Sequence, residues 1–326
     1  MNRSNSYWRG VVQLTLSLAV MVVLIWGCVE NTGDKTWGRS ENKGDEGVCG
    51  GPSLVVVAPH QDDETILAGG TIYRAAHDGR TGIEIIYVTA GDAAGLPGPC
   101  WEKSKEQKKR KIMELREEEA RAACGVLGID ASHLHFLRYP DLKLVAKSSF
   151  SEGRRKDVLT DAGEHAVANV SDLLPTLIPP NAENLTVITT SFWDNHPDHR
   201  VVYQAARAAA EIVRTQRGIP VTLMHAIVHD EIPINIPFCC VGDRHWPNPG
   251  PHLDHSALAD FPKRPRPPFW DVVYDVTDLV SVRNEALNQH VSQIKGWPEL
   301  CMFVYYKQYY YNWMEKTEEV FYKEIL

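Results

Sequence analysis

The 326-residue sequence predicts an α/β protein of the Rossmann-like, doubly wound kind, with a mostly parallel sheet and helices on both faces. Two observations predict it. Short β-branched runs alternate with longer amphipathic stretches, the signature of strand–helix–strand units. The first run, residues 54–58, is apolar without a break, as expected of a parallel strand covered on both sides.

Taken in order, residues 54–58 (LVVVA) and 83–88 (IEIIYV) are the clearest strands, with 133–137, 186–189 and 221–228 as further candidates. Helices are expected over 66–77, 103–127, 163–177 and 201–217. In the second of these Ile112, Leu115, Glu119, Ala122 and Val126 follow the i, i+3, i+4, i+7 spacing of one helical face. Residues 238–269, rich in Pro, Gly and His without periodicity, read as a long surface loop. A strand at 271–276, a helix at 279–294 and an aromatic-rich terminal helix complete the chain, and no internal repeat is found.

Composition sets the class. With 44% hydrophobic and 23% charged residues the chain can bury an ordinary globular core. A formal net charge of -8 argues against nucleic acid as partner, since phosphate-backbone binding needs a basic surface. The seven cysteines include no CxxC pair and no zinc-finger spacing.

The N-terminus stands apart from the fold. Residues 11–26 are nearly all apolar, and Arg3 and Arg9 precede them, which is the pattern of a secretory signal. The run ends in Ile25-Trp26-Gly27-Cys28, which resembles a bacterial lipoprotein cleavage box; an uncleaved signal anchor is the competing reading. In both cases the membrane is a partner through the N-terminus and the bulk of the chain lies outside the cytoplasm. The expected organisation is a signal or anchor at 1–28, a flexible tether at 29–52 and a catalytic domain at 53–326.

Two polar clusters carry the chemistry. Pro59-His60-Gln61-Asp62-Asp63-Glu64 follows the first strand and sets three carboxylates side by side, which costs repulsion unless a cation or proton relieves it. Asp194-Asn195-His196-Pro197-Asp198-His199 follows the strand at 186–189 and again brings His and Asp to a strand exit. Sites in open α/β sheets gather at that edge. His60, Asp63 and His199 make an N/N/O set that leaves a coordination position open, the arrangement of catalytic zinc.

These motifs resemble those of the LmbE/PIG-L family of zinc-dependent de-N-acetylases. The first signature, (P/A)HPDDE, is matched by residues 59–64 and the second, HPDH, by residues 196–199 without change. Three further elements are similar: the helix from Arg116 to Gly128, Tyr139-Pro140-Asp141, and His290-Val291-Ser292-Gln293. The resemblance implies Zn2+, or another divalent ion, on His60, Asp63 and His199. It implies Asp62 as general base, His196 as oxyanion stabiliser or acid, and Asp198 as the residue that orients His196. The implied substrate is an N-acetylglucosamine-containing glycan or glycoconjugate. Gln61 departs from the family's usual Pro, which suggests a looser turn.

Arg116 and Asp141 each have two readings. Arg116 either contacts substrate hydroxyls or pairs with Glu119 one turn away; Asp141 either accepts from a sugar hydroxyl or serves only the turn after Pro140. The basic run Lys103–Lys111 reads as a solvated face, with anionic lipid or polysaccharide as the alternative contact. A catalytically inactive carbohydrate-binding protein on the same framework is the alternative function, and retention of both Asp62 and Asp63 speaks against it. A metal phosphoesterase would need further clustered His and Asp ligands, which the sequence does not offer.

Overall fold

A computed structural model describes residues 53–78, 82–93, 105–151, 154–229, 272–295, 314 and 316–326. They lie in one unit, Gly50–Leu326. The apolar run at 11–26, Cys28, the loop at 238–269 and the aromatics from Tyr305 to Trp313 fall outside the described residues. Among the described residues no helix is long and apolar enough to cross a membrane.

A mixed sheet of seven strands is ordered β3-β2-β1-β6-β7-β9-β8. Its parallel part comprises β1 (Ser53–Ala58), β2 (Ile83–Thr89), β3 (Leu134–Tyr139), β6 (Leu185–Thr190) and β7 (Val221–Ala226). Strand order runs one way from β1 to β3 and the other way from β6 to β7, so β1 and β6 flank the switch point. Every residue of β1 is buried, which accounts for its unbroken apolar sequence. The helices are α1 (Asp63–His77), α2 (Lys105–Val126), α3 (Asp161–Leu177), α4 (Pro197–Arg217), α5 (Val280–Leu287) and α6 (Val291–Lys295). Val55, Val57, Ile86 and Val88 pack on one face of the sheet with Val170 and Leu174 of α3 and Val202, Ala206 and Val213 of α4. The helix α4 begins with Pro197 at its first turn and ends at Gly218, whose φ of 65° is the left-handed conformation that glycine adopts freely.

Several expectations are corrected. Both site helices start earlier than periodicity suggests, at Asp63 and Pro197, because their first turns are polar and carry no apolar rhythm. Residues 145–159 form a hairpin, β4 (Val145–Ser151) paired antiparallel with β5 (Arg154–Leu159), that the sequence did not announce. Its Ser- and Lys-rich strands have no alternation to read. The helix expected at 279–294 is two helices, broken between Leu287 and Val291. Past the aromatic stretch, on which the expected terminal helix rested and which lies outside the described residues, β9 (Glu318–Ile325) pairs antiparallel with β7 and with β8 (Val272–Asp275). On α2 the inward stripe is rotated: Arg116, Ala120, Ala123 and Leu127 are buried with Ile112, while Ala122 is exposed.

Candidate active site

The site forms where β1 and β6 end. Beyond β1 the chain turns through Pro59 and His60 into α1, whose first turn holds Asp63 and Glu64. Carboxylates there gain from the unpaired N–H groups of a helix N-terminus. The turn is tied down rather than loose. Thr89, at the end of β2, bonds Pro59 O through its N (2.9 Å) and its Oγ1 (2.8 Å), and Gln61 Nε2 donates to Thr89 O at 2.9 Å. Gln61 is therefore a buried strut, against the expectation of a loosened turn. Gly91, at φ 59°, lies against it; a Cβ there would run into Gln61 Oε1 and the Arg116 guanidinium.

Beyond β6 the chain delivers Asp194, His196, Asp198 and His199, all buried. Three donors converge between the two exits. His60 Nδ1 stands 3.1 Å from Asp63 Oδ2, His199 Nε2 is 3.2 Å from His60 Nδ1, and His199 Nε2 is 3.3 Å from Asp63 Oδ2. Atoms ligating a tetrahedral zinc at about 2.0–2.1 Å stand roughly 3.3 Å from one another, so this triangle has the edge length of one face of such a polyhedron. His196 flanks it, its ring 4.8 Å from those of both His60 and His199. Ligand atoms of His60, His196 and His199 also lie within 4.8 Å of one another, as do those of Asp63, His199 and His229 and those of His60, Asp141 and Asp198.

The electrostatics call for positive charge at this centre. Burial opposes a charged imidazole, yet Asp63 and then Asp194 raise His199 to about 9, and Asp141 leads the carboxylates that hold His60 well above its ordinary value. In return His199 and His60 keep Asp63 well below the usual carboxylate range despite its burial. Protons on the two histidines thus supply the charge that the carboxylates require, and a divalent cation would displace them. His196 behaves oppositely. Burial, reinforced by its histidine neighbours, pushes it well below its ordinary value, so it is neutral near pH 7.

The sequence of residues 55–210 matches the profile of the family described as GlcNAc-PI de-N-acetylase, PIG-L, and that span contains both strand-exit clusters. Over residues 55–210 the chain is similar to the PIG-L family. Two relatives are the 1D-myo-inositol 2-acetamido-2-deoxy-alpha-D-glucopyranoside deacetylases of Rhodococcus opacus and Rhodococcus erythropolis. The first is 26% identical, with 74% of this chain and 81% of the relative covered; the second is 28% identical, with 77% and 84% covered. Among solved structures, the N,N'-diacetylchitobiose deacetylase of Pyrococcus horikoshii is similar in outline, with 17% identity, 83% of each chain covered and a TM-score of 0.47.

Within the matched span Asp62 Oδ1 stands 3.1 Å from the Arg116 guanidinium. Arg116 reaches from α2 and also donates to Gly91 O (3.1 Å) and Gln61 O (3.2 Å). Arg116 thus braces the Asp62 turn, a role beside the two expected of it, while Glu119 accepts from Ser292 N (2.7 Å) and Ser292 Oγ (2.6 Å) and also feels the Arg116 charge. Asp141 is more than a turn residue: its Oδ1 is 3.1 Å from His60 Nε2. Asp198 accepts from Leu142 N at 2.7 Å and stands 3.9 Å from His60 Nε2. The expected pairing of Asp198 with His196 is not among these contacts, because the first turn of α4 aims Asp198 back towards β3. Lys109 bonds Asp92 at 2.7 Å and Lys108 is buried, so the basic run is not simply a solvated face.

Two site residues, His229 and Asp92, escaped the sequence reading, and a third, Asp194, was named in its cluster but given no role. Asp194 accepts from His196 N (2.8 Å), Val228 N (2.8 Å) and His229 N (3.1 Å), and its Oδ2 lies 3.1 Å from His199 Nδ1 at a bent angle. His229 sets its ring 4.8 Å from that of His199. Asp92, past the end of β2, accepts from Asp141 N at 3.0 Å. Each follows a strand exit, and that common position was the available signal.

Proposed function

We propose that this protein is a metal-dependent hydrolase that removes the N-acetyl group from an N-acetylglucosamine-containing glycan or glycoconjugate, acting outside the cytoplasm. The observation that carries the reading is the triangle of His60 Nδ1, Asp63 Oδ2 and His199 Nε2, with edges of 3.1–3.3 Å, at the switch point of the sheet. Those three residues would hold the ion, zinc by the mixed N/N/O donor set. Bound there, it supplies Lewis acidity to the acetyl carbonyl and to the attacking water.

The chain's own groups do the rest. Asp62, held by Arg116 rather than by the donor triangle, takes the proton of the attacking water. His196 faces the same space from the other strand exit, where it donates to the developing oxyanion or delivers a proton to the departing amine. The amide C–N bond breaks as the proton that Asp62 took from water passes to the departing nitrogen, directly or by way of His196, and acetate and the amino sugar leave. Asp141, beside His60, would accept from a sugar hydroxyl. The relatives' N-acetylated glucopyranoside substrate and the family's description favour an acetamido sugar over other amides.

The test is acetate release by the full-length protein, purified in detergent, from a panel of N-acetylglucosamine derivatives. Release should require a divalent ion and cease on chelation. Turnover of none of these sugars by metal-loaded protein would overturn the reading.

A further inference from the structure

We infer that Asp157, on the outlying hairpin, is a positioning residue for His196, acting through Arg200. The inference rests on the role given to His196 above. Arg200 follows His199 in α4, and both it and Asp157 are almost wholly buried, with side chains 4% and 3% exposed. The two form a fork: Nε to Asp157 Oδ2 at 2.6 Å and Nη2 to Asp157 Oδ1 at 2.9 Å. Nη2 also reaches Ser148 Oγ on β4 at 3.2 Å. The remaining nitrogen, Nη1, turns the other way and donates to Asp194 O at 3.0 Å and Asn195 O at 2.8 Å.

Those two carbonyls belong to the residues immediately before His196, and the Asn195 carbonyl is part of the peptide group that carries the His196 nitrogen. A planar guanidinium cannot swing one edge without the other. The edge locked on Asp157 therefore fixes the edge that holds the loop. His196 N is further pinned by Asp194 Oδ1 at 2.8 Å, so the backbone on both sides of this peptide is set by buried charge-assisted bonds. The hairpin is itself rooted at the site, since Leu142, three residues before β4, donates to Asp198. It is thus a brace from outside the main sheet against the loop that carries His196.

A double-mutant cycle tests this, with turnover and metal content measured for the full chain. Asp157→Asn keeps size but puts an amide donor against an arginine donor. Turnover should fall about 10- to 100-fold, as is usual when a supporting residue is lost, with KM changed less than about 2-fold and metal content unaltered. In the His196→Ala background the same substitution should cost little further turnover, because its target is gone. Equal losses in both backgrounds would overturn the inference and mark Asp157 as purely structural. If His196→Ala alone leaves turnover intact, the role of His196 fails instead. Should Asp157→Asn fold poorly, Ser148→Ala trims only the 3.2 Å bond, and a smaller loss that vanishes in the His196→Ala background supports the brace. A loss that persists there overturns it.

Discussion

Asp62 and Asp63 are neighbours in the chain and opposites in surroundings. Asp63 is wedged between His60 and His199, whereas Asp62 meets Arg116. The proposal of Asp63 as ligand and Asp62 as base rests on that difference. Asp62→Asn should keep metal near the wild-type level and lose about 10²–10⁴-fold in turnover, the usual share of a positioned base. Loss of the metal instead would exchange the two roles. His199→Ala removes one corner of the triangle and should abolish stoichiometric metal after dialysis, read by elemental analysis; unchanged stoichiometry would break the ligand set. The cluster itself was legible because His, Asp and Glu crowd two strand exits. The partners were not: Arg116 lies 54 residues from Asp62 in sequence, and helical spacing pointed it at Glu119.

At the scale of elements, α1 is not one smooth helix. Ala68 leaves helical geometry, at φ -149° and ψ 23°, and just past it Glu319 of β9 accepts from Gly70 N (2.7 Å), Thr71 N (3.0 Å) and Thr71 Oγ1 (2.6 Å). A buried carboxylate from the last strand thus caps the second half of the helix that carries Asp63. Replacing it with an amide leaves donors facing a donor, so Glu319→Gln should destabilise the fold by about 1–3 kcal/mol in denaturant titration. A change below that range would show that the break is held by other contacts. Farther along β9, Glu324 lies 3.5 Å from His225 Nε2, accepts from Tyr203, and pairs with Arg207 at 3.2 Å. His225, then Tyr203 and Arg207, lower its carboxyl to about 2. A folded-state pKa below the unfolded value of about 4.3 gives stability that is present above that pH and fades as pH falls towards 2. The melting temperature of wild type should therefore exceed that of Glu324→Gln at pH 6, and the gap should close by about pH 2. A gap constant across that range would refute the linkage.

For the molecule as a whole, the proposal of work outside the cytoplasm rests on the N-terminal sequence alone. We propose anchoring through Cys28 as a lipoprotein or through residues 11–26 as a signal anchor. Metabolic palmitate labelling that disappears in Cys28→Ser would establish the first. A full-length mass with Met1 retained would exclude it and leave the anchor.

Sequence alone determined the parallel part of the sheet and the two strand-exit clusters proposed to hold the ion. Both depend on local patterns: an apolar run must be covered on both faces, and His with Asp at a strand end has few uses. Tertiary structure decided the rest. The hairpin brace, the cap at Ala68, the antiparallel closing strand and the carboxylates of Asp194 and Asp92 depend on residues brought together from distant parts of the chain. Their local sequence is polar, without period, and takes its meaning only from the donor it meets across the fold. Asp157 reads as a solvated strand residue until Arg200 arrives from the next helix but one. Asp198 reads as the partner of its neighbour His196 until the first turn of α4 aims it elsewhere.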